Sequence, residues 1–564
     1  MSESTAILKA SPVEVAKASD PTLSGTIAQT LADGQADHFG EDDLVFLKSH
    51  GIYQQDDRDL RKTGKKFIFM VRCRIPGGRL TPDQYLTCDR LAARYANDTL
   101  RVTSRQGLQF HGVVKGGLRA LVKEINGALL GTLAACGDNN RNVMAPPTPA
   151  CSALGLQVQE HARQVAAALL PKTSAYHSIW IDGQALDLEE PAHKNFVDPL
   201  YGKAYLPRKF KVAFVVPPRN DIDIFTNCCG FIAIGNDGGD LAGYNLTAGG
   251  GMGRSHGNEQ TFPRLADVIG FLPPDKVVDV AGAVLTIHRD FGDRANRKHA
   301  RLKYVLEDRG VGWFREELER RVKFRLAEPR LFKFEKQGDA FGWNRQADGR
   351  LFLGLFVETG RIRDHDGRRL KTALREVVTR YQPEIHLTPA NNVVLVNLAE
   401  TLRTEIDSLF AAHGVQTAPQ HQGSILRRAS MACVALPTCG LALAEAERYL
   451  PGLITRLERS LAETGLSGQE ITIRMTGCPN GCARPYVAEV GFVGKAPGRY
   501  QIWLGGNEAC TRVNRLYRDM VKDPDIVSEL RPLFVRYAQE RLPEERFGDW
   551  VARVLWHEQP TPTL

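Results

Sequence analysis

No run of about 18 apolar residues occurs in this 564-residue chain, so the sequence offers no membrane-spanning helix. The N-terminal stretch MSESTAILKASPVEVAKASD lacks both the basic start and the apolar core of a secretory signal. No G-x-G-x-x-G follows a strand-like run and no G-x4-G-K-S/T is present, which leaves no evident dinucleotide fold or phosphate loop. The run Gly249-Gly250-Gly251-Met252-Gly253 fits neither pattern and reads as a loop that lets backbone approach a flat or anionic ligand. Zinc-finger, basic-zipper and RNP signatures are missing too, and a net charge of +8 is mild for this length, so nucleic acid is not the expected partner. The eleven cysteines are odd in number and scattered, which excludes a small disulfide scaffold and fits reduced thiols in a cytoplasmic protein. What is present is a soluble composition, 43% hydrophobic and 24% charged, long enough for several domains.

Four of the cysteines form two close pairs. Cys433 and Cys439 lie in MACVALPTCG, and Cys478 and Cys482 in RMTGCPNGCARP, giving C-x5-C and C-x3-C separated by 38 residues. Four thiolates in two pairs suit either a cubic iron–sulfur cluster or a tetrahedral zinc. The first pair is looser than usual zinc knuckles, and neither pair is a ferredoxin run, so spacing leaves cluster, zinc and unligated thiols open. Gly477, Pro479, Asn480, Gly481, Pro437 and Gly440 tilt the balance towards a cluster, because small and turn-forming residues free backbone N–H groups to approach sulfides. The other seven, Cys73, Cys88, Cys136, Cys151, Cys228, Cys229 and Cys510, read as small buried hydrophobes.

Residues 1 to about 40 have weak periodicity and read as a flexible arm. Beyond them short strands and helices alternate: strands at 66–73, 100–103 and 108–114, helices at 82–95 and 118–130. The pattern recurs at 351–357, 370–381, 384–388 and 393–397, aligning Thr103 with Thr388 and Leu108 with Val393. A second pair of related segments begins at KVAFVVPPRNDIDIF and ITIRMTGCPNGCARP. Duplication of this kind marks a pseudo-symmetric α+β fold. The copies differ in chemistry: Arg101, Arg105, Gln109 and His111 face His386, Ala390, Val394 and Val396 in the alignment, while Cys478 and Cys482 fall opposite the stretch 217–223. One asymmetric site near the pseudo-axis is expected.

Cationic stretches contain Arg72 and Arg74, Arg101 and Arg105, Arg141, and Arg208, Lys209 and Lys211. Singly each reads as a solvated charge, but several lie in or beside strand-like runs. Lys209 and Lys211 are two apart and so point to the same side of their strand, where like charges ask for an anionic partner. The run 294–304 (RANRKHARLKY) is expected on a helix, as a solvated face or a carboxylate-binding wall. Without a hydride cofactor of its own, such a protein must draw electrons from another.

The blocks SHGIYQQDDRD, RVTSRQGLQFHG, YLPRKFK, LPTCGLALAEAERYLP and RMTGCPNGCARPYVAEVGFVGKAPGRY together resemble the sirohaem sulfite and nitrite reductase family, over most of the chain. The resemblance implies a duplicated α+β fold with pseudo-two-fold symmetry and three domains around one sirohaem and one 4Fe–4S cluster. It divides the chain into an arm at 1–45, ferredoxin-like halves at 46–133 and 330–412, a sirohaem and substrate domain at 134–329, and a cluster and sirohaem domain at 413–564. By it Cys433, Cys439, Cys478 and Cys482 hold the cluster, and Cys482 also shares its thiolate with the sirohaem iron. Arg72, Arg141, Lys209 and Lys211 match the substrate-anion cage, while Arg101, Thr103, Arg105, Gln109, His111 and Asn480 fall in cofactor-lining blocks. The implied activity is six-electron reduction of sulfite to sulfide in sulfate assimilation and cysteine biosynthesis, with an NADPH-dependent FAD/FMN flavoprotein as donor. Nitrite as substrate, ferredoxin as donor, an anion-inert electron carrier and a zinc-stabilised nucleic-acid binder are the rivals. The stretch 60–66 (LRKTGKK) is shorter than the family pattern, and Ala483 and Pro485-Tyr486 depart from the commonest form after the second cysteine pair.

Overall fold

The computed structural model describes residues 10–182, 196–335 and 337–558. Two five-stranded sheets embody the first duplication. One orders Ile52–Asp56, Phe67–Arg72, Leu108–Val113 and Leu100–Val102, and the other Gly342–Arg345, Leu351–Leu355, Val393–Leu398 and Glu384–Leu387. Each is completed by a two-residue strand from the opposite half. Arg361–Ile362 pairs with Leu100 and Arg101, and Arg79–Leu80 pairs with Ile385 and His386. Such an exchange ties the halves through backbone hydrogen bonds that neither could make alone.

The reciprocity extends to side chains. Gln106 and Asn391 occupy equivalent turns with positive φ, 54° and 74°. Gln106 Nε2 donates to the Leu387 carbonyl at 2.9 Å, and Asn391 Nδ2 to the Val102 carbonyl at 2.9 Å. Helices Pro82–Tyr95 and Leu370–Tyr381 match the expected ranges. The first begins with Pro82 behind a full capping box between Thr81 and Gln84, and buries Tyr85, Cys88, Leu91 and Ala92 at helical spacing.

The second duplication gives two further sheets of like topology. Val212–Val215 runs parallel to Cys229–Gly235, which pairs antiparallel with Leu241–Ala248, followed by Asp267–Leu272. Ile473–Thr476, Val490–Ala496, Arg499–Leu504 and Arg515–Lys522 repeat that order and sense. Ser430–Ala432 adds a parallel edge, matched in the first copy by bridges from Asn140 and Met144 to Phe210 and Ala213. Both central parallel strands are buried throughout, as a strand covered on both faces must be.

One apolar core runs from Leu23 to Val415 and another from Leu426 to Val551. The flexible-arm reading is corrected for residues 10–40. Helices Pro12–Ser19 and Ile27–Ala32 are docked, and Leu23, Ile27 and Phe39 join the first core. Their apolar residues are too few and too irregular to show a period. The run 294–304 is also corrected: no helix begins before Leu302, because residues up to Arg301 fold as an irregular loop ending at the helix N-cap.

Candidate active site: four cysteines beside a cationic cavity

The two cysteine pairs leave the C-terminal ends of neighbouring parallel strands, Ser430–Ala432 and Ile473–Thr476. That placement brings near one another two pairs of thiols with 38 residues between them in sequence. Cys478 is buried, Cys433 and Cys439 are half-buried, and Cys482 is exposed. Gly477 donates its N–H to Cys433 Sγ at 3.3 Å, and Asn480 Nδ2 donates to Cys478 Sγ at 3.4 Å. Backbone N–H groups of Leu441 and Ala442 reach Cys439. Gly477 lies against Ala435 and the Ala444 carbonyl with no room for a side chain.

Burial, then the neighbouring charges of Cys482 and Cys478, drive the Cys433 thiol well up; burial, then Cys482, push Cys478 up to about 12. Thiols that oppose each other's ionisation need a positive centre among them. Among the described residues no three His, Cys, Asp or Glu side chains gather as a single metal ion requires. The N–H···S donors fit a cluster, whose sulfides accept further such bonds.

Cations crowd the space that Cys482 opens onto. Arg72 lies within electrostatic reach of Cys482 and Cys439 and gives Nη1 to Cys136 Sγ at 3.0 Å. Burial, then Arg208 and Arg301, bring Lys209 down to about 7, against the pull of Cys482. Burial, then Arg105, Lys209 and Arg301, hold Lys211 well below the lysine range. Arg301 acts on both lysines, while Arg208 and Arg141 act on Lys209 and Arg105 on Lys211. Arg141 belongs to the group electrostatically, although its guanidinium turns back to the Gly137 carbonyl at 2.7 Å and 2.9 Å. Arg74 does not join them; its Nη2 bonds the Ala166 carbonyl. The groups that dominate the environment of Lys209 and Lys211 include several cations and no carboxylate. Such a cavity suits a ligand with several negative charges, and the many carboxylates of sirohaem fit it.

The remaining expected cofactor contacts separate into two groups. Arg105 lies within the cationic set: it bonds Asn227 Oδ1 and the Asn142 and Val212 carbonyls, while its buried Nε has no partner. Asn480 stands at the cysteines. Thr103 shapes the turn, accepting from Gly107 N at 3.0 Å. Arg101 is taken up by the protein itself, through Glu447 at 3.1 Å and the Ala432 and Val102 carbonyls. It therefore braces the strand that leads into Cys433. His111 meets Arg361, itself paired to Glu447 at 2.7 Å, and burial, then Arg361, keep its imidazole neutral. Gln109, with its amide oriented to accept, takes Arg72 Nη2 at 2.6 Å and so orients that guanidinium.

Sequence reasoning singled out none of Arg301, Lys303, Arg208 and Cys228 as a site residue, although the first two lie in the run read as a solvated face or a carboxylate-binding wall and Arg208 in a cationic stretch. Arg301 adjoins Gly251 and donates weakly to Cys228 Sγ at 3.5 Å, with its buried Nε unpartnered. Lys303, fully buried, is held by the carbonyls of Gly251, Gly253 and Phe262. The run 294–304 thus divides, its last cations turning inward onto the Gly249–Gly253 loop. The signal was the pairing of that glycine loop with a basic run. Cys151 is exposed, correcting its reading as a buried hydrophobe: it ends a short surface turn, Pro149–Cys151.

Comparison with known proteins now defines the class. The nitrite/sulfite reductase ferredoxin-like half domain matches residues 60–128 and 344–413, and the nitrite and sulphite reductase 4Fe-4S domain matches 136–326. This chain belongs to the nitrite and sulfite reductase family. It is 47% identical to the sulfite reductase (NADPH) hemoprotein beta-component of Geobacillus kaustophilus, over 96% of this chain and 95% of that protein. It is 48% identical to the protein of that name from Myxococcus xanthus, over 96% of each. The Mycobacterium tuberculosis NirA structure is similar with a TM-score of 0.76 and 25% identity, covering 96% of both chains. The four paired cysteines lie outside the matched 4Fe-4S segment, in the second copy of the same sheet topology.

Proposed function

We propose that this chain reduces sulfite to sulfide with six electrons received from a separate NADPH-dependent flavoprotein component, in the cytoplasm. The observation that carries the reading is the exposed Cys482 thiol, one of four cysteines at the ends of two neighbouring parallel strands, within electrostatic reach of Arg72 and Lys209. The printed names of the relatives supply the substrate and the donor class. Among the described residues no helix is long and apolar enough to cross a membrane.

Cys433, Cys439, Cys478 and Cys482 would hold a 4Fe–4S cluster, Cys482 also facing sirohaem. Bound there, the two groups supply the electrons and an electron-rich iron at which an oxyanion of sulfur is reduced. Arg72, Arg141, Lys209 and Lys211 bind the anion; at about 4 Å and an effective dielectric near 20 each contact is worth roughly 4 kcal/mol before desolvation. Lys209 Nζ, brought down to about 7 by burial and Arg208, gains its proton as an anion arrives, and can return it as one of the two protons that each departing sulfite oxygen takes up to form water. Arg105, Arg301 and Lys303 are placed to meet sirohaem carboxylates, and Arg101 and His111 act behind the cysteines rather than on the ring.

Cys482→Ser tests this directly. Spectroscopic coupling between cluster and haem should vanish, and coupling retained in that variant would refute the assignment. Turnover of sulfite against nitrite under one chemical reductant separates the two substrates of the family.

A further inference from the structure

A second group of buried charges sits beneath the N-terminal helix Pro12–Ser19. The buried residues of this helix are Glu14 and Lys17, while Val15 is 57% exposed. The helix is therefore held by charge rather than by an apolar face. Lys17, 1% exposed, meets the Glu14 carboxylate at 2.6 Å and Asp138 at 3.3 Å, and donates to the Leu206 carbonyl at 2.7 Å. Asp138 also takes Arg297 at 2.7 Å and lies 3.8 Å from Arg208. Arg294 closes the group onto Glu14.

Two segments converge on that ammonium. Residues 137–141 carry Asp138 and Arg141, and residues 205–211 carry Arg208, Lys209 and Lys211. They are laced by Leu206 N to Asp138 O at 3.0 Å, Phe210 N to Asn139 O at 3.0 Å and Arg141 N to Phe210 O at 2.9 Å. Both therefore present the proposed anion cage from one side, with Lys17 behind them. A buried ammonium is tolerated only where its partners are fixed, and removal of one member leaves the others uncompensated.

We propose that Lys17 is a positioning residue for the anion site: through Asp138 and the Leu206 carbonyl it straps 137–141 to 205–211 in the register that sets the segments of Arg141, Lys209 and Lys211 side by side at that site. This rests on reading that cavity as the sulfite site. The N-terminal helix is then a working part of the site, although it contributes no group to it.

The test uses holoprotein carrying Lys17→Met, with reduced methyl viologen as donor so that partner docking does not enter. Sirohaem and iron content should match the unaltered protein, and kcat should stay within about twofold while KM for sulfite rises about tenfold, as displaced binding groups would cause. Hydrogen exchange should quicken in helix Pro12–Ser19 and, beyond it, in 137–141 and 205–211 only. Lys17→Arg, which keeps the ion pairs, should recover most of the KM. A folded Lys17→Met protein with unchanged KM and unchanged exchange would overturn the proposal. So would loss of both cofactors, which would make the network an element of folding. An unaltered protein without tetrapyrrole would instead defeat the functional reading, and the exchange measurement would still decide the strap.

Discussion

Asp223→Asn strikes a carboxylate at which the pseudo-symmetric copies meet. Asp223 and Arg484 occupy equivalent left-handed positions, φ 52° and 54°, each starting a single 3-10 turn. They pair with each other, and Asp223 also takes Arg474 at 2.6 Å. The carboxylate is 1% exposed, so water does not screen the group. Arg484 further binds the Ser104 carbonyl at 2.9 Å and the Pro389 carbonyl at 3.0 Å, joining both ferredoxin-like halves to the loop of Cys482. Neutralising Asp223 leaves two buried guanidinium groups against one amide, at a cost of about 3–5 kcal/mol. Spread over the unfolding entropy of the whole chain, about 1.2 kcal/mol/K, that lowers the melting temperature by roughly 3 °C; confined to a separately melting unit of about 200 residues, it lowers it by roughly 10 °C. Burial opposes the charge, but Arg474 and Arg484 prevail and hold the carboxyl well below the usual carboxylate range. A depressed folded value gives stability that is present above the unfolded value, near 4, and is lost as pH falls through the folded one. The gap between parent and variant should therefore be flat from pH 8 to about pH 4 and close only in stronger acid. Differential scanning calorimetry across that range provides the assay. A melting temperature within 1 °C of the parent at pH 7, or a gap that widens on acidification, would refute the reasoning.

Lys209→Ala and Arg141→Ala should each lower sulfite turnover at least tenfold while both cofactors stay bound, measured with a chemical reductant and by visible absorbance; cofactor loss in both would make those residues structural. Asp221→Asn should stabilise the protein at pH 8 and leave it unchanged near pH 4. Burial, against the pull of Arg219, raises that carboxyl to about 7, so its charge destabilises the fold increasingly between the unfolded value and 7. A variant less stable than the parent at pH 8 in thermal melts would disprove this.

Much of the architecture was legible because its signals are local. Alternating apolar residues mark the strands, the Thr81 cap before Pro82 marks a helix start, and the Thr103–Thr388 match exposes the duplication. The exchanged strands Arg79–Leu80 and Arg361–Ile362 carry no such signal: two residues have no period, and their partners lie in the other half. The cysteine spacing named candidate ligands but left zinc open, and the two parallel strands that gather the thiols are a tertiary fact. Arg101 and His111 look alike in sequence to Arg105, as basic residues of one block. Only the arrival of Glu447, 346 residues from Arg101, separates bracing from cavity lining. Helix Pro12–Ser19 escaped notice because what docks it is charge, and periodicity arguments detect only apolar faces.

The duplication also explains how a symmetric scaffold holds a single site. A cavity of about 50 Å³ is lined by Glu470, Thr472, Ala390, Arg428 and Asp221. In the alignment of copies Glu470 stands where Lys209 does, Thr472 where Lys211 does, Ala390 where Arg105 does, and Asp221 where Cys482 does. Arg428 precedes Met431 as Arg141 precedes Met144, and both methionines lie beside equivalent central strands. A carboxylate stands in place of one lysine, an alanine in place of one arginine, and in place of the thiol an acid that burial raises to about 7. Arg474 and Arg484 also line that cavity but are already paired to Asp223, and Asp339 joins Glu470 there. A ligand bearing many carboxylates would therefore meet less attraction than beside Lys209 and Lys211, and a cubane would lose a ligand. Backbone symmetry was therefore kept for stability, through the exchanged strands and the Asp223–Arg484 pair, while a few substitutions at equivalent positions confine the chemistry to one side of the axis.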